Sequence, residues 1–422
     1  MNYLEAYEYI QSLTCRGIMP GLEVMSVLCD ALGNPQKNLK IIHIAGTNGK
    51  GSVGAFISNI FMCAGFSVGR YVSPAVENPR EIIQFNGSYI SESEYAECTD
   101  IVKRACEKIS ALGMFPTSFE FETAMAFVFF YKKKCSYCVI ECGLGGLLDA
   151  TNIIDTPEAA VITSIGMDHS VYLGNNISEI ALNKSGIIKE HSLVFSAHQK
   201  EEAANVISKI CSEKQADLSI CSKPEILISD ISKTCFNYKN FNDLEIKLCG
   251  AFQPDNAVLA LECCTKLGID ERFIRTGLKN TVWKYRFEIT ENNPYWIYDG
   301  AHNPDAAYSL RRSLDEYFPN KRLIFIIGVF KDKDYDTILS ITAPYAYKIF
   351  TVTPASKRGL DSAILADKAR KYCNNVIDAK NTHTAAALCS QEICDAVIIF
   401  GSLSFLKNIK KERSNGKMQK NI

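Results

Sequence analysis

Lys40-Ile41-Ile42-His43-Ile44-Ala45-Gly46-Thr47-Asn48-Gly49-Lys50-Gly51-Ser52 decides the architecture. Lys40 to Ala45 reads as a strand, the glycine-rich turn follows, and a helix opens at Lys50 and runs to about Ala64. Glycines let the backbone turn sharply, so that N–H groups point inward at phosphate oxygens, and the helix N-terminus adds its positive end. Lys50 reaches toward terminal phosphates, and Ser52 supplies a hydroxyl to phosphate or Mg²⁺. The stretch departs from G-x-x-x-x-G-K-[ST], because Gly51 separates Lys50 from Ser52. The alternative is a bare glycine turn; the strand–loop–helix setting favours a phosphate site. Thr47, Asn48, Gly49, Lys50, Gly51 and Ser52 are therefore candidate nucleotide contacts.

Outward from this loop, short apolar runs alternate with helical patterns, the mark of a parallel α/β sheet. Ser67–Val72, Tyr137–Cys142, Ala159–Ile165 and Val194–Ala197 read as strands. Glu92–Leu112, Ser118–Lys133, Pro254–Leu267 and Asp270–Asn280 read as helices. Tyr295–Asp299, Leu323–Val329, Lys348–Val352 and Ala396–Phe400 form the strands of a second, smaller α/β unit. Glu291-Asn292-Asn293-Pro294 breaks the pattern and sets the expected domains at 1–290 and 291–422. The basic tail from Lys407, with Lys410, Lys411, Arg413, Lys417 and Lys420, is expected to be a solvated, partly disordered end.

Composition bounds the function. The net charge of −1 lacks the basic excess of a nucleic-acid binder. No apolar stretch approaches membrane-spanning length, and the acidic, amphipathic N-terminus is unlike a signal peptide. A cytoplasmic protein with no membrane or nucleic-acid partner is expected. The 17 cysteines are scattered, which suits small buried hydrophobes in a reducing compartment; Cys135-x-x-Cys138 has no matching second pair.

Other candidate residues sit at strand ends, where parallel sheets bind ligands. Ser73, Glu141 (before Cys142-Gly143-Leu144-Gly145-Gly146) and Asp168-His169 offer a hydroxyl, a carboxylate and an imidazole for Mg²⁺ beside the phosphate loop. Taken singly, His169 reads as a loop or capping residue and Glu141 as an ion-pair partner. Lys184 is either a solvated helix lysine or something more specific. In Phe252-Gln253-Pro254-Asp255-Asn256 the amides can read an adenine edge, and Arg286 can clamp a phosphate. In Asp299-Gly300-Ala301-His302-Asn303-Pro304, Asp299 can accept from ribose hydroxyls and His302 can donate to phosphate. The structural alternative there is a strand–turn–helix connection with Asn303 as cap and Pro304 at the first helical position.

As a set and in this order, Gly46 to Ser52, Glu141 to Gly146 with Leu148-Asp149-Ala150-Thr151-Asn152, Asp168-His169, Gln253-x-x-Asn256 and Asp299 to Pro304 resemble the folylpolyglutamate synthase/dihydrofolate synthase family of the Mur ligase superfamily. The resemblance implies an N-terminal P-loop ATPase domain with a parallel sheet, a smaller C-terminal Rossmann-like domain, and ATP with Mg²⁺ as cofactors. By matching position it implies Ser73, Glu141 and His169 as Mg²⁺ ligands and Lys184 as a carbamylated lysine. It implies Asn256, Arg286, Asp299 and His302 as ATP contacts, and Thr117, Phe119 and Asp149 as substrate contacts. Lys50, His169, Lys184, Arg286 and His302 then carry the chemistry. Three segments depart from the family pattern: Ser73-Pro74-Ala75-Val76 stands for Ser-Pro-His-Leu, Gly145-Gly146-Leu147-Leu148-Asp149 for Gly-Gly-Arg-Leu-Asp, and Lys284-Tyr285-Arg286-Phe287 for Pro-Gly-Arg-Phe. None removes a phosphate or metal group.

The implied activity is ATP-dependent addition of glutamate to dihydropteroate, to folate polyglutamates, or to both, by a monomer whose partners are small molecules. A Mur-type ligase acting on a UDP-sugar peptide, and a P-loop nucleotide-binding protein without ligase chemistry, are the other readings. The second of these does not require the Asp299–Pro304 motif.

Overall fold

The computed structural model describes residues 1–17 and 19–420, with the side chains of 414–420 excepted. It divides into two compact units, Met1–Pro224 with Tyr238–Asn240 and Asp255–Thr281, and Glu225–Asn237 with Phe241–Pro254 and the chain from Val282 onward.

The first unit is built on an eight-stranded sheet: β1 (Ile41–Ala45), β2 (Val68–Tyr71), β3 (Ile83–Phe85), β4 (Ser88–Tyr89), β5 (Tyr137–Glu141), β6 (Ala159–Ile162), β7 (Leu193–Ser196) and β8 (Asp217–Ile220). Its order is β4-β3-β2-β5-β1-β6-β7-β8. Every residue of β1 is buried, as a central parallel strand covered on both faces requires. β1 runs parallel to β5, with Ile44 opposite Glu141, and parallel to β6. Only the β2–β3–β4 edge is antiparallel.

The helix Lys50–Cys63 is buried along most of its length. It lies against the helix Glu271–Asn280, where the Asn59 amide donates to the Gly277 carbonyl at 2.8 Å. The helices Glu92–Ser110 and Ser118–Lys133 open on capping boxes, Ser91 with Glu94 and Thr117 with Glu120, which satisfy otherwise orphaned N–H groups. Their apolar faces pack with the helix Tyr3–Leu13 into one core cluster around Phe121, Phe127, Phe130 and Ile140.

In the second unit β9 (Glu225–Ser229), β10 (Thr234–Tyr238) and β11 (Phe241–Ile246) form a small sheet. β9 is its edge, and Ile226, Leu227 and Ile228 are all exposed. The larger sheet contains β12 (Glu288–Asn292), β13 (Tyr295–Tyr298), β14 (Leu323–Ile327), β15 (Ala346–Val352), β16 (Val376–Lys380) and β17 (Ala396–Phe400). Its order, β12-β13-β17-β14-β15-β16, is parallel except for β12. The sequence break expected at 290/291 falls within β12, which pairs with β13 as a hairpin.

The tail differs from a solvated end. Its backbone is helical from Leu403 to Lys420. Lys410 donates to Glu288 at 2.7 Å, and the Arg413 guanidinium lies 4.6 Å over the Trp296 ring while pairing with Glu291. These partners on β12 and β13 neutralise and dock two of the basic residues. The side chains of Lys417 and Lys420 lie outside the described residues.

Gly277 tests the packing. A Cβ there would stand 2.5 Å from the Ile60 Cα, a backbone atom that cannot swing aside. Gly277→Val should therefore lose about 3 kcal/mol, the upper range of overpacking, read as a lowered urea midpoint. An unchanged midpoint would show that the two helices do not meet so closely.

Candidate functional site

Four adjacent strands, β2-β5-β1-β6, end along one edge of the first sheet, and each delivers a candidate group there. Ser73 follows β2, Glu141 is the last residue of β5, the glycine-rich loop follows β1, and Asp168-His169 follows β6. Gly49 at φ 94° turns the chain into the helix and makes room for Asn256, whose Oδ1 a Cβ would meet at 2.5 Å. The loop is pinned from the β6 side. Thr47 N–H donates to the Ser164 carbonyl at 2.8 Å, and the Thr47 hydroxyl bonds to Gly166 at 3.0 Å. Thr47, Asn48, Gly49, Lys50, Gly51, Ser52 and Asn256 are thus one local cluster.

Two lysines converge on this loop. Lys50 Nζ donates to the carbonyls of Gly46 (3.2 Å) and Thr47 (3.4 Å) and lies 3.8 Å from Glu141 Oε1. Lys184 Nζ donates to the same Gly46 carbonyl at 2.8 Å. Lys184 is only 4% exposed, which rules out the solvated-lysine reading. Its pKa is pushed down to about 7, first by burial and then by the Lys50 charge. The adjoining loop holds it in place: Gly146 N–H donates to Asn183 Oδ1 at 3.1 Å, and Leu147 N–H to the Asn183 carbonyl at 2.8 Å.

His169 has a left-handed backbone (φ 52°) and its N–H is accepted by Asp168 Oδ1 at 2.9 Å. Among the described residues no three His, Cys, Asp or Glu side chains gather as a metal cage. Ser73, Glu141 and His169 offer one carboxylate, one imidazole and one hydroxyl. That set fits Mg²⁺, which keeps waters and shares phosphate oxygens with its substrate.

Thr117 and Asp149 are engaged within the fold. The Thr117 hydroxyl donates to Glu120 at 2.8 Å and accepts from the Glu120 N–H at 3.2 Å. Asp149 is buried and accepts from Leu144 N–H (2.7 Å), Thr151 N–H (3.0 Å) and the Thr151 hydroxyl (2.6 Å). Burial raises its pKa, and these bonds oppose the rise. The Phe119 ring fills the space beside Gly143, where a Cβ would fall 2.5 Å from its Cζ.

The second unit carries its own group at the end of β13. Asp299 is buried and accepts from Phe287 N–H (2.9 Å) and Ala301 N–H (2.8 Å). Burial raises its pKa and Arg286 works against that. The Arg286 guanidinium lies against Gly300, in the space that a Cβ there would take. His302 Nδ1 bonds to the Gly300 carbonyl at 2.7 Å, so Nδ1 carries a hydrogen. Nε2 then donates to a phosphate only when the ring is protonated. Asn303 caps the following helix, with Pro304 in its first turn.

Two polar residues escaped the sequence reading. His43, wholly buried in β1, bonds through Nε2 to the Thr151 hydroxyl at 2.8 Å, and burial drives its pKa down to about 3. Arg70, buried in β2, donates to the Gly51 carbonyl at 2.5 Å. A charge inside an apolar strand was the available signal for Arg70; a lone histidine in β1 offered none.

The Mur ligase middle domain matches residues 44–264, and the Mur ligase glutamate ligase domain matches 285–403. Dihydrofolate synthase/folylpolyglutamate synthase of Bacillus subtilis is 32% identical over 97% of this chain and 98% of its own length. Folylpolyglutamate synthase of Thermotoga maritima superposes with a TM-score of 0.85 at 34% identity, covering 98% of this chain and 97% of that one. E. coli FolC, solved in complex with DHPP and ADP, gives 0.89 at 26% identity over 99% of each chain. Fold and domain matches together define an ATP-dependent ligase of the Mur type. Within that class the chain belongs to the dihydrofolate synthase/folylpolyglutamate synthase family. No helix among the described residues is long and apolar enough to cross a membrane.

Burying the unmodified Lys184 amine has a cost that depends on pH. With a folded pKa of about 7 against 10.5 for the ordinary group, the unfolded chain binds the extra proton between those values. Stability from this group therefore rises with pH across that window. Lys184→Met should melt higher than wild type at pH 6–7, and the gain should shrink as pH approaches 10.5. A gain that grows with pH would reverse the assignment.

Proposed function

We propose that this protein joins L-glutamate to dihydropteroate, to folates carrying a glutamate tail, or to both, at the expense of ATP. Support comes from the convergence of Lys50 and Lys184 on one loop carbonyl beside Glu141, at the edge where four strands end. Family membership favours this reading over a UDP-sugar peptide ligase or a P-loop protein without ligase chemistry.

A carboxylate does not accept an amine directly, because oxide is a hopeless leaving group. Transfer of the γ-phosphoryl of ATP to the acceptor carboxylate gives an acyl phosphate. The glutamate amine then attacks the acyl carbon, and the C–O bond breaks to release phosphate. Thr47 to Ser52 cradle the phosphates, and Lys50 neutralises charge on the transferring group. Arg286 and His302 are proposed phosphate contacts. Asn256 and Asp299 are proposed nucleotide contacts. Mg²⁺, held by Ser73, Glu141 and His169, would screen the phosphate charge. Thr117 and Asp149 fix the loops bordering the acceptor, and Phe119 offers it a ring face. We place the enzyme in the cytoplasm as a monomer; the cysteines, none in a disulfide, suit a reducing compartment.

The deciding assay is phosphate release with dihydropteroate or a folate, with and without glutamate. Release that ignores both acceptor and glutamate would refute ligase chemistry on these substrates. Lys50→Ala should cut ligation by a factor on the order of 10²–10³ or more while the protein stays folded. Near-normal turnover in that variant would remove Lys50 from the site.

Lys184 adds a second test. Carbon dioxide reacts with a neutral amine to give an anionic carbamate and a proton, and a buried amine with a pKa near neutrality is suited to that. Lys184→Ala should be nearly inactive, and short carboxylic acids such as acetate should partly restore turnover. Full activity without acid would exclude a role for this side chain.

A further inference from the structure

Arg70 lies within β2 with only 7% of its surface exposed. Removing a guanidinium from water is costly unless carbonyls and carboxylates replace the lost hydration. Arg70 pairs with Val139 of β5, and alternate residues of a strand share a face, so Arg70, Val139 and Glu141 project to the same side. Ile44 of β1, opposite Glu141, projects there too. That side is the one covered by the helix Lys50–Cys63. A Cβ on Gly54 of this helix would stand 3.5 Å from Ile44 Cδ1 and 3.6 Å from both Val139 Cγ1 and Arg70 Nε. Gly54 thus faces this patch at ordinary van der Waals distance, which places the helix directly over Arg70. Its Nη2 donates to the Gly51 carbonyl, in the first turn of the helix, at 2.5 Å.

Glu141 therefore stands in the field of two cations. One is Arg70, locked between strand and helix. The other is Lys50, whose Nζ is 3.8 Å away and also bonds to two loop carbonyls. Burial lowers the Arg70 pKa to about 10 while the Glu141 charge works to raise it, so the guanidinium stays charged at neutral pH.

We propose that Arg70 is a positioning residue: it neutralises Glu141 from within the core and ties down the first turn of the phosphate-loop helix, so that Lys50 is left for the nucleotide's phosphates. This rests on the reading of Lys50 as a phosphate-binding residue. Without Arg70, Glu141 would draw Lys50 into a full ion pair and compete with the nucleotide.

ADP affinity measured by calorimetry in EDTA isolates this effect from any metal. Arg70→Met should weaken ADP about tenfold in protein that circular dichroism shows to be folded, with some loss of melting temperature from the lost buried contacts. Arg70→Lys, which keeps the charge, should stay within about threefold of wild type. Adding Glu141→Gln to Arg70→Met should restore affinity, which a merely structural role for Arg70 would not do. Glu141→Gln alone keeps the Arg70 side chain and its bond to Gly51 and gives an independent reading. Affinity within about threefold of wild type supports Arg70 as the main counter-ion, whereas a tenfold gain would show that Lys50 was the partner. The proposal falls if folded Arg70→Met binds ADP like wild type, or if the double variant stays as weak as Arg70→Met. Lys50→Ala serves as control: undiminished ADP binding there would overturn the phosphate-site reading and this proposal together.

Discussion

The Gly46 carbonyl accepts from both Lys50 and Lys184, and the arrangement of the first unit follows from that shared acceptor. Two amines on one oxygen repel, and the buried one yields part of its proton affinity. The fold contains the strain by enclosing Lys184: Gly146 packs on its backbone, Asn183 is tied to the loop after β5, and Glu141 supplies the nearest negative charge to Lys50. The Lys50 ammonium, the more exposed of the two, can exchange that carbonyl for a stronger anion. A fully hydrated lysine would have to surrender water first.

Glycines without side chains make that closeness possible. Gly46 abuts Thr163, Gly49 abuts Asn256 and Gly146 abuts Lys184. Gly46 and Gly146 let one strand-end connection approach another, and Gly49 admits the Asn256 side chain from the helix Gln253–Lys266. In the second unit Gly300 serves Arg286 in the same way, while Asp299 organises the neighbouring backbone through two N–H bonds.

Much of this was legible in the sequence because it depends on local pattern. The runs at Ile41–Ala45, Tyr137–Glu141 and Ala396–Phe400 are continuous and apolar, and they form central parallel strands. Ser118–Lys133 begins and ends as read, because Thr117 and Glu120 form a capping box. β9 and β16 escaped the sequence reading, since their apolar runs, Ile226–Ile228 and Val376–Ile377, are only three and two residues long. The candidate groups at the strand ends could be named from motif and order. The burial of Lys184 and the pairing of Arg70 with Gly51 depend on contacts across the sheet that no local pattern encodes. Asp149 shows the converse: its strongest partners, Leu144 and Thr151, are near in sequence but emerge only with the folded turns.

The exposed edge strand β9 has a mechanical corollary. Ile226, Leu227 and Ile228 are apolar in succession, so sliding the strand by one residue would bury or expose nothing different. Burial cannot fix the alignment of β9 with β10, and the turn must do so. Asp230 sets that alignment. Its Oδ1 accepts from Ser232 N–H at 2.7 Å and Lys233 N–H at 3.1 Å, and its own N–H donates to the Lys233 carbonyl at 3.0 Å. One aspartate at the tip thus acts as the ratchet pawl of the hairpin, holding a tooth that the strand itself lacks.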